Sequence, residues 1–129
     1  MNEEKPYFQT PILYNAHRGI SSRYPENTLV SFQAAADAGA DVIETDARLT
    51  KDGVIVLHHD DSLLSTAGEE RFVTKSTLGE LSDLDFGYSF SADGGKTHPF
   101  RGKGIKILTL EEALVSFPAS KFNIDLKDS

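Results

Sequence analysis

The order of apolar, strand-like runs and helical patterns is the feature that most constrains the fold of this chain. Residues 12–16 predict a short buried strand, residues 25–39 a turn followed by a helix that stops at Gly39, and residues 42–49 a second strand. Residues 122–126 predict a third strand after a long intervening stretch. Strands that alternate with helices in this way predict parallel βαβ units in an α/β fold.

Residues 61–108 form the long intervening stretch, which we call the excursion. It is rich in Gly, Ser and Asp, and Thr77 is predicted to cap a short helix within it. Directly after it, Thr109 begins a second capping-box sequence, and Pro118 is predicted to end the helix that follows. The chain is therefore predicted to hold one domain over residues 1–129, with the excursion as an insertion.

Two carboxylates lie in the second predicted strand. Glu44 and Asp46 are separated by one residue, so their side chains are expected to share one face of the strand, with backbone positions roughly 6–7 Å apart. Like charges held that close repel each other, and a cation relieves the repulsion. Ligands that are all oxygen favour hard cations such as Ca²⁺ or Mg²⁺ over zinc.

A predicted hairpin follows the acidic pair. Asp52-Gly53 is typical of a two-residue turn, and the runs on either side of it are too close in sequence to be parallel. A two-residue turn places His59 opposite Asp46, whereas a turn one residue longer places His58 there. The spacing alone leaves both histidines as candidates for the site.

Composition excludes several classes of protein. The 129 residues contain no cysteine, which rules out disulfides and thiolate metal sites, and the formal net charge of −7 argues against nucleic-acid binding. No run is long enough to predict a membrane span, and the polar first ten residues show no apolar signal segment. The expectation is a cytoplasmic protein in which a cation and a few local bases attract any anionic substrate.

Six short motifs occur in a fixed order along the chain. They are His17-Arg18-Gly19, Pro25-Glu26-Asn27-Thr28, Gly39-Ala40-Asp41, Glu44-x-Asp46, Thr50-Lys51-Asp52-Gly53 and His59-Asp60, followed by Asn123-Ile124-Asp125-Leu126-Lys127. Any one of them is weak, but their order and spacing together are specific. They resemble the first part of a glycerophosphodiester phosphodiesterase, and the later acidic-x-Lys strand extends the resemblance over nearly the whole chain.

The resemblance implies metal-dependent hydrolysis of glycerophosphodiesters to an alcohol and glycerol 3-phosphate. It implies a general acid and a general base, three carboxylate ligands for a divalent metal, and two basic side chains for the substrate phosphate. In this sequence these are His17 and His59; Glu44, Asp46 and Asp125; and Arg18 and Lys127. His58 is then expected to point away from the site in a structural role.

The resemblance also implies a (β/α)8 barrel of the TIM type, which usually takes about 250 residues. This chain is expected to supply about the first three of the eight strands. Three strands leave sheet edges and apolar faces uncovered, so the expected partner, besides a small-molecule substrate, is a second copy of the chain or the rest of the barrel. Two alternative functions are another phospholipase-type phosphodiesterase and a non-catalytic partial barrel that binds a metal or a partner.

Overall fold

The computed structural model describes residues 15–127 of the chain, which form one four-stranded sheet flanked by short helices. The strands are β1 (Asn15–His17), β2 (Val42–Leu49), β3 (Ile55–Leu57) and β4 (Phe122–Leu126). The helices are α1 (Leu29–Asp37), α2 (Leu64–Ala67), α3 (Leu78–Ser82) and α4 (Leu110–Ser116), with a short 3-10 turn at Val73–Lys75.

β2 lies at the centre of the sheet and pairs in parallel with β1 and β4. His17 pairs with Glu44, which also pairs with Asn123 on the other side, so β1 and β4 flank opposite edges of β2. Connections that contain helices lead from β1 to β2 through α1 and from the β2–β3 hairpin to β4 through segments that end in α4. The predicted parallel βαβ units are therefore confirmed, although residues 12–14 of the first predicted strand lie outside the described residues.

β3 pairs antiparallel with the last part of β2. Ala47 pairs with Leu57 of β3 and also with Leu126 of β4, so β3 and β4 lie on opposite edges of β2. β1 and β3 consequently share one edge of β2. Along this edge the pairing with β1 stops at Glu44, and the pairing with β3 starts at Ala47. Thr45 and Asp46 lie between the two strands on this edge, which we call the β2 gap.

The two-residue turn predicted at Asp52-Gly53 is wrong. Thr50 and Val54 close a three-residue loop, in which the Thr50 hydroxyl accepts a hydrogen bond from the Val54 amide at 2.9 Å. Gly53 has φ 83°, the left-handed conformation that ends this type of hairpin loop. The extra residue shifts the pairing by one, and the His58 amide donates to the Asp46 carbonyl at 2.9 Å.

Three helices begin at threonines that cap their first turn. Thr28, Thr77 and Thr109 each accept a hydrogen bond from the amide three residues later, with the reciprocal bond of a capping box also present. These contacts satisfy amides that have no partner within the helix. The predicted caps at Thr77 and Thr109 are confirmed, and α1 ends just before Gly39, whose φ is 77°.

Two apolar cores lie on either side of β3. The first packs one face of the sheet against α1 and α4 and consists of Ala16, Phe32, Ala35, Ile43, Ala47, Leu57, Leu108, Ala113 and Phe117. The second packs β3 against the excursion and consists of Val56, Leu63, Ala67, Val73, Leu81, Phe86 and Ile107. Val56 and Leu57 are neighbours in sequence but belong to different cores, because successive strand residues point to opposite faces.

Candidate active site at the carboxyl end of the parallel strands

Asp46 is the most enclosed charged group of the site, and two basic side chains contact it. Arg18 Nε lies 3.2 Å from Asp46 Oδ2, and Lys127 Nζ lies 3.8 Å from Asp46 Oδ1. The side chain of Asp46 is 8% exposed, against 21% and 25% for its two basic partners. A carboxylate this buried needs charged partners, and here the chain itself supplies them.

The segment that carries Arg18 turns sharply at the end of β1. Arg18 and Gly19 adopt the left-handed conformation, with φ 55° and 80°. A Cβ at Gly19 would lie 2.5 Å from Ser31 Oγ, so only glycine fits there. The turn brings the guanidinium back over the sheet, where Arg18 Nη1 also lies 3.4 Å from Glu26 Oε1.

The strand register arranges the other acidic side chains around Asp46. Asp125 pairs with Asp46, and Glu44, two residues earlier on β2, pairs with His17. Lys127 Nζ donates to Asp125 Oδ2 at 2.7 Å, and this contact, together with the charges of Lys127 and then His59, lowers the pKa of the Asp125 carboxyl. Glu44 accepts a hydrogen bond from Asn15 Nδ2 at 3.2 Å.

His59 forms a pair with the residue that follows it. Its Nδ1 lies 2.7 Å from Asp60 Oδ1, and this hydrogen bond lowers the pKa of the Asp60 carboxyl. A carboxylate can only accept, so Nδ1 carries the proton and the lone pair of the neutral ring lies on Nε2. The Arg48 guanidinium donates to the His59 carbonyl at 2.9 Å and holds this segment against β2.

His58 has a different environment from its neighbour. Its ring is buried in an edge-on contact with Phe86, its Nδ1 lies 2.6 Å from the Asp60 carbonyl, and its Nε2 lies 2.7 Å from Thr66 Oγ1. Burial lowers the pKa of His58, which favours the neutral ring with Nδ1 donating and Nε2 accepting. Both ring nitrogens are therefore engaged, one by the backbone of Asp60 and the other by Thr66 of the excursion.

Comparison with known proteins identifies the family. The model of the glycerophosphoryl diester phosphodiesterase family matches residues 17–128. The chain belongs to this family. In sequence, it is 39% identical over 112 residues to a glycerophosphodiester phosphodiesterase of Caldanaerobacter subterraneus subsp. tengcongensis, covering 87% of this chain and 44% of the relative. A Bacillus altitudinis glycerophosphodiester phosphodiesterase is 36% identical over 115 residues, 88% of this chain and 44% of that protein.

Solved structures of the family share the fold. The phosphodiesterase domain of a Mycobacterium tuberculosis protein superposes with a TM-score of 0.84 at 29% identity, over 92% of this chain and 44% of that one. An Oleispira antarctica phosphodiesterase in complex with the product sn-glycerol-3-phosphate superposes with a TM-score of 0.77 at 35% identity, over 90% and 44%. The predicted fold class is thereby confirmed: β1, β2 and β4 are the first three strands of a TIM-type barrel, and the chain spans less than half the length of these relatives.

The donor set fits a hard divalent cation, although the side chains are not gathered around one point. Glu44, Asp46 and Asp125 offer only oxygen, and the register places the latter two side by side on adjacent strands. Within residues 15–127, however, no group of three or more His, Asp or Glu side chains lies close enough to hold a metal. The negative charge of Asp46, on which the predicted metal site depends, is paired in this structure with the positive charges of Arg18 and Lys127.

Sequence reasoning missed two polar residues that contact predicted site residues. The sequence pattern predicts Asn27 only as part of a helix-start turn, yet its side-chain amide donates to Asp46. Asp60 belongs to a motif that carries no role for it, yet its carboxylate accepts a hydrogen bond from His59. A usable signal for Asn27 was its residue type, because Asn tolerates the left-handed backbone of tight loops. Nothing local in the sequence indicated its partner 19 residues away.

Proposed function

We propose that this protein hydrolyses glycerophosphodiesters to an alcohol and glycerol 3-phosphate, with the help of a divalent cation, Ca²⁺ or Mg²⁺. The observation that carries the proposal is the meeting of Asp46, Arg18, Lys127 and Asp125 at the carboxyl end of the parallel strands, the end at which barrel enzymes carry out their chemistry. Glycerol 3-phosphate as product is supported by the similar Oleispira antarctica structure, which contains it.

The two basic side chains suit an anionic phosphodiester. Arg18 Nε makes an ion-pair contact with Asp46 but has no hydrogen-bond partner among the described residues, and Nη1 donates to Glu26. A guanidinium has five N–H donors, so further donors on its terminal nitrogens remain for phosphate oxygens. Lys127 adds three rotatable donors beside Asp125. In our proposal the Arg18 and Lys127 side chains both bind the phosphate and stabilise the negative charge that grows on it in the transition state.

The two histidines are proposed to move the protons. His17 and His59 act on opposite sides of the phosphorus, one as general base and the other as general acid. The hydrogen bond from His59 Nδ1 to Asp60 supports proton transfer at Nε2, because it fixes both the tautomer and the ring orientation. A cation held by Glu44, Asp46 and Asp125 would supply Lewis-acid polarisation of the phosphoryl group.

The experiment is a metal-controlled assay of the intact protein. Purified protein is stripped with a chelator and assayed on glycerophosphocholine and bis(4-nitrophenyl) phosphate, with and without added Ca²⁺ or Mg²⁺. The expected result is release of glycerol 3-phosphate from glycerophosphocholine only when one of the cations is restored.

Other outcomes identify the alternatives. Cleavage of the nitrophenyl ester alone would indicate a phosphodiesterase of another specificity. No turnover with either substrate, alongside metal binding, would indicate a non-catalytic binding protein. Full activity after metal removal, or in both Glu44→Gln and Asp46→Asn, would overturn the metal-dependent proposal.

A further inference from the structure

Asn27 contacts the side chains of both residues of the β2 gap, whose backbone is bonded at the Asp46 carbonyl by the His58 amide. The paired residues of β1 end opposite Glu44, and those of β3 begin opposite Ala47. Asn27 contacts the two residues between them: its Nδ2 donates to Asp46 Oδ2 at 3.2 Å, and its Oδ1 accepts from Thr45 Oγ1 at 2.6 Å. It is 2% exposed, so these contacts are shielded from water.

The backbone of Asn27 is fixed by the segment that carries Arg18. Asn27 has φ 57°, and its amide donates to the Arg18 carbonyl at 3.0 Å. Ser31 Oγ donates to the same carbonyl at 3.1 Å and ties both loops to the first turn of α1. Asn27 and Arg18 therefore approach Asp46 from one connected unit, and both reach the same oxygen, Oδ2.

Thr45 decides which way the Asn27 amide points. The Thr45 hydroxyl donates to Oδ1, so Nδ2 must face Asp46, and the opposite orientation would set an amide oxygen against a carboxylate oxygen. Thr45 is itself buried, at 3% exposed. A hydroxyl that has no direct contact with the Asp46 carboxylate thus controls the donor that holds it.

We infer that Asn27 is a positioning residue that presents Asp46 to the proposed metal through Oδ1. Asn27 donates to Oδ2, and Arg18 Nε makes an ion-pair contact with the same oxygen. Oδ1 has the longer 3.8 Å contact to Lys127 Nζ and lies on the side of Asp125, the partner of Asp46 on β4. The inference rests on the proposed function, because it assigns a role toward the metal carboxylate of that same site. Outer partners that orient a ligating carboxylate typically change metal affinity 10- to 100-fold when they are lost.

The test measures metal affinity directly in the intact protein. Calorimetric titration with Ca²⁺ and with Mg²⁺ is carried out on wild type, Asn27→Asp, Asn27→Gly and Thr45→Val, with kcat and KM determined in parallel. We expect both Asn27 variants to weaken metal affinity about 10- to 100-fold and Thr45→Val to weaken it by a smaller factor. Asn27→Gly keeps the left-handed backbone without strain. A loss of metal affinity in this variant therefore reports the absence of the side-chain amide and not a change of the loop conformation.

Gln33→Ala is the matched control. It removes another amide-to-carboxylate hydrogen bond, from Gln33 Nε2 to Asp37 Oδ1 at 2.9 Å, on the exposed face of α1. We expect wild-type metal affinity in this variant.

The outcomes separate this inference from the proposed function. If wild type binds metal and hydrolyses substrate while both Asn27 variants retain wild-type metal affinity, the role of Asn27 is refuted and the proposed function stands. If wild type binds neither cation, the proposed function fails and the inference fails with it. Loss of the folded circular dichroism spectrum in all three site variants would make the network purely structural and would also overturn the inference.

Discussion

The two cores on either side of β3 show how one short strand assigns different roles to neighbouring residues. Leu57 packs in the first core, beneath the sheet that carries the site, and Val56 packs in the second core, against the excursion. His58 follows Val56 into the second core, where its ring contacts Phe86 and Thr66. The chain then leaves the strand, and the His59 ring turns toward Asp60. Two identical side chains, one residue apart, thus experience opposite surroundings.

The contrast between the two histidines shows that hydrogen bonds link the excursion to the candidate site. The His58 ring contacts the carbonyl of Asp60, and the Asp60 carboxylate contacts His59. The second core therefore fixes the orientation of a proposed catalytic group that lies outside it. The strand β3 alone could not do so, because it ends at Leu57.

The largest expected effect is the loss of kcat when His59 is replaced. In the intact protein, His59→Ala should reduce kcat about 10²–10⁴-fold, the usual contribution of a positioned general acid or base. His98→Ala, which removes a half-buried imidazole from the excursion, serves as the control. It should leave kcat within a factor of about two, because His98 is none of the proposed site residues. Steady-state assays on glycerophosphocholine make the measurement, and an equal loss in the two variants would contradict the role of His59.

The second prediction tests whether the two cores unfold separately. Leu57→Ala and Leu63→Ala each remove a side chain that is at most 1% exposed, one from each core, and each should cost about 2–5 kcal/mol of unfolding free energy. Native-state hydrogen exchange should show that Leu63→Ala weakens protection mainly in the excursion, while Leu57→Ala weakens it in β2 as well. The same exchange pattern in both variants would mean that the cores unfold as one unit.

The third prediction sharpens the link between Asp60 and His59. Asp60→Asn replaces a charged acceptor by a neutral amide and should lower kcat about 10- to 100-fold, in line with the roughly 1.5–3 kcal/mol of a charge-assisted hydrogen bond. Ser65→Ala removes only the 3.4 Å contact to the other carboxylate oxygen and should have a much smaller effect. Equal kcat values for Asp60→Asn and wild type would show that the pair does not orient the ring.

The smallest expected effect concerns pH. Burial lowers the pKa of His58 below its usual 6.5, so below that pH the unfolded chain binds a proton that the folded chain resists. Stability should therefore fall as the pH drops from 7 to 5, by at most about 1.4 kcal/mol per pH unit for this one group. His58→Asn, whose amide keeps a donor near the position of Nδ1, should flatten the curve. Urea denaturation across this range makes the measurement, and parallel curves for the two proteins would contradict the assignment.

Much of the fold could be predicted because its signals are local. The bounds of β2 and β4 agree with the predicted runs, and the threonine caps of α3 and α4 occur where their sequences indicate. The site was less predictable. Asp46 and Asp125 do lie side by side, but the basic partners of Asp46 come from residues 28 and 81 positions away in the sequence, which no periodic pattern reveals. The catalytic and metal-binding roles of the site residues stay predictions.

The sequence by itself determined the alternation of strands and helices, the helix starts and the placement of Glu44 and Asp46 on one face of β2. These features depend on hydrogen bonds and side-chain directions within a few residues, which the local sequence specifies. The tertiary structure alone decided the hairpin register, the separation of His58 from His59 and the position of Asn27 in the β2 gap. Each of these depends on contacts between distant segments, where burial and the need to pair every buried polar group select one arrangement among several that the local sequence allows.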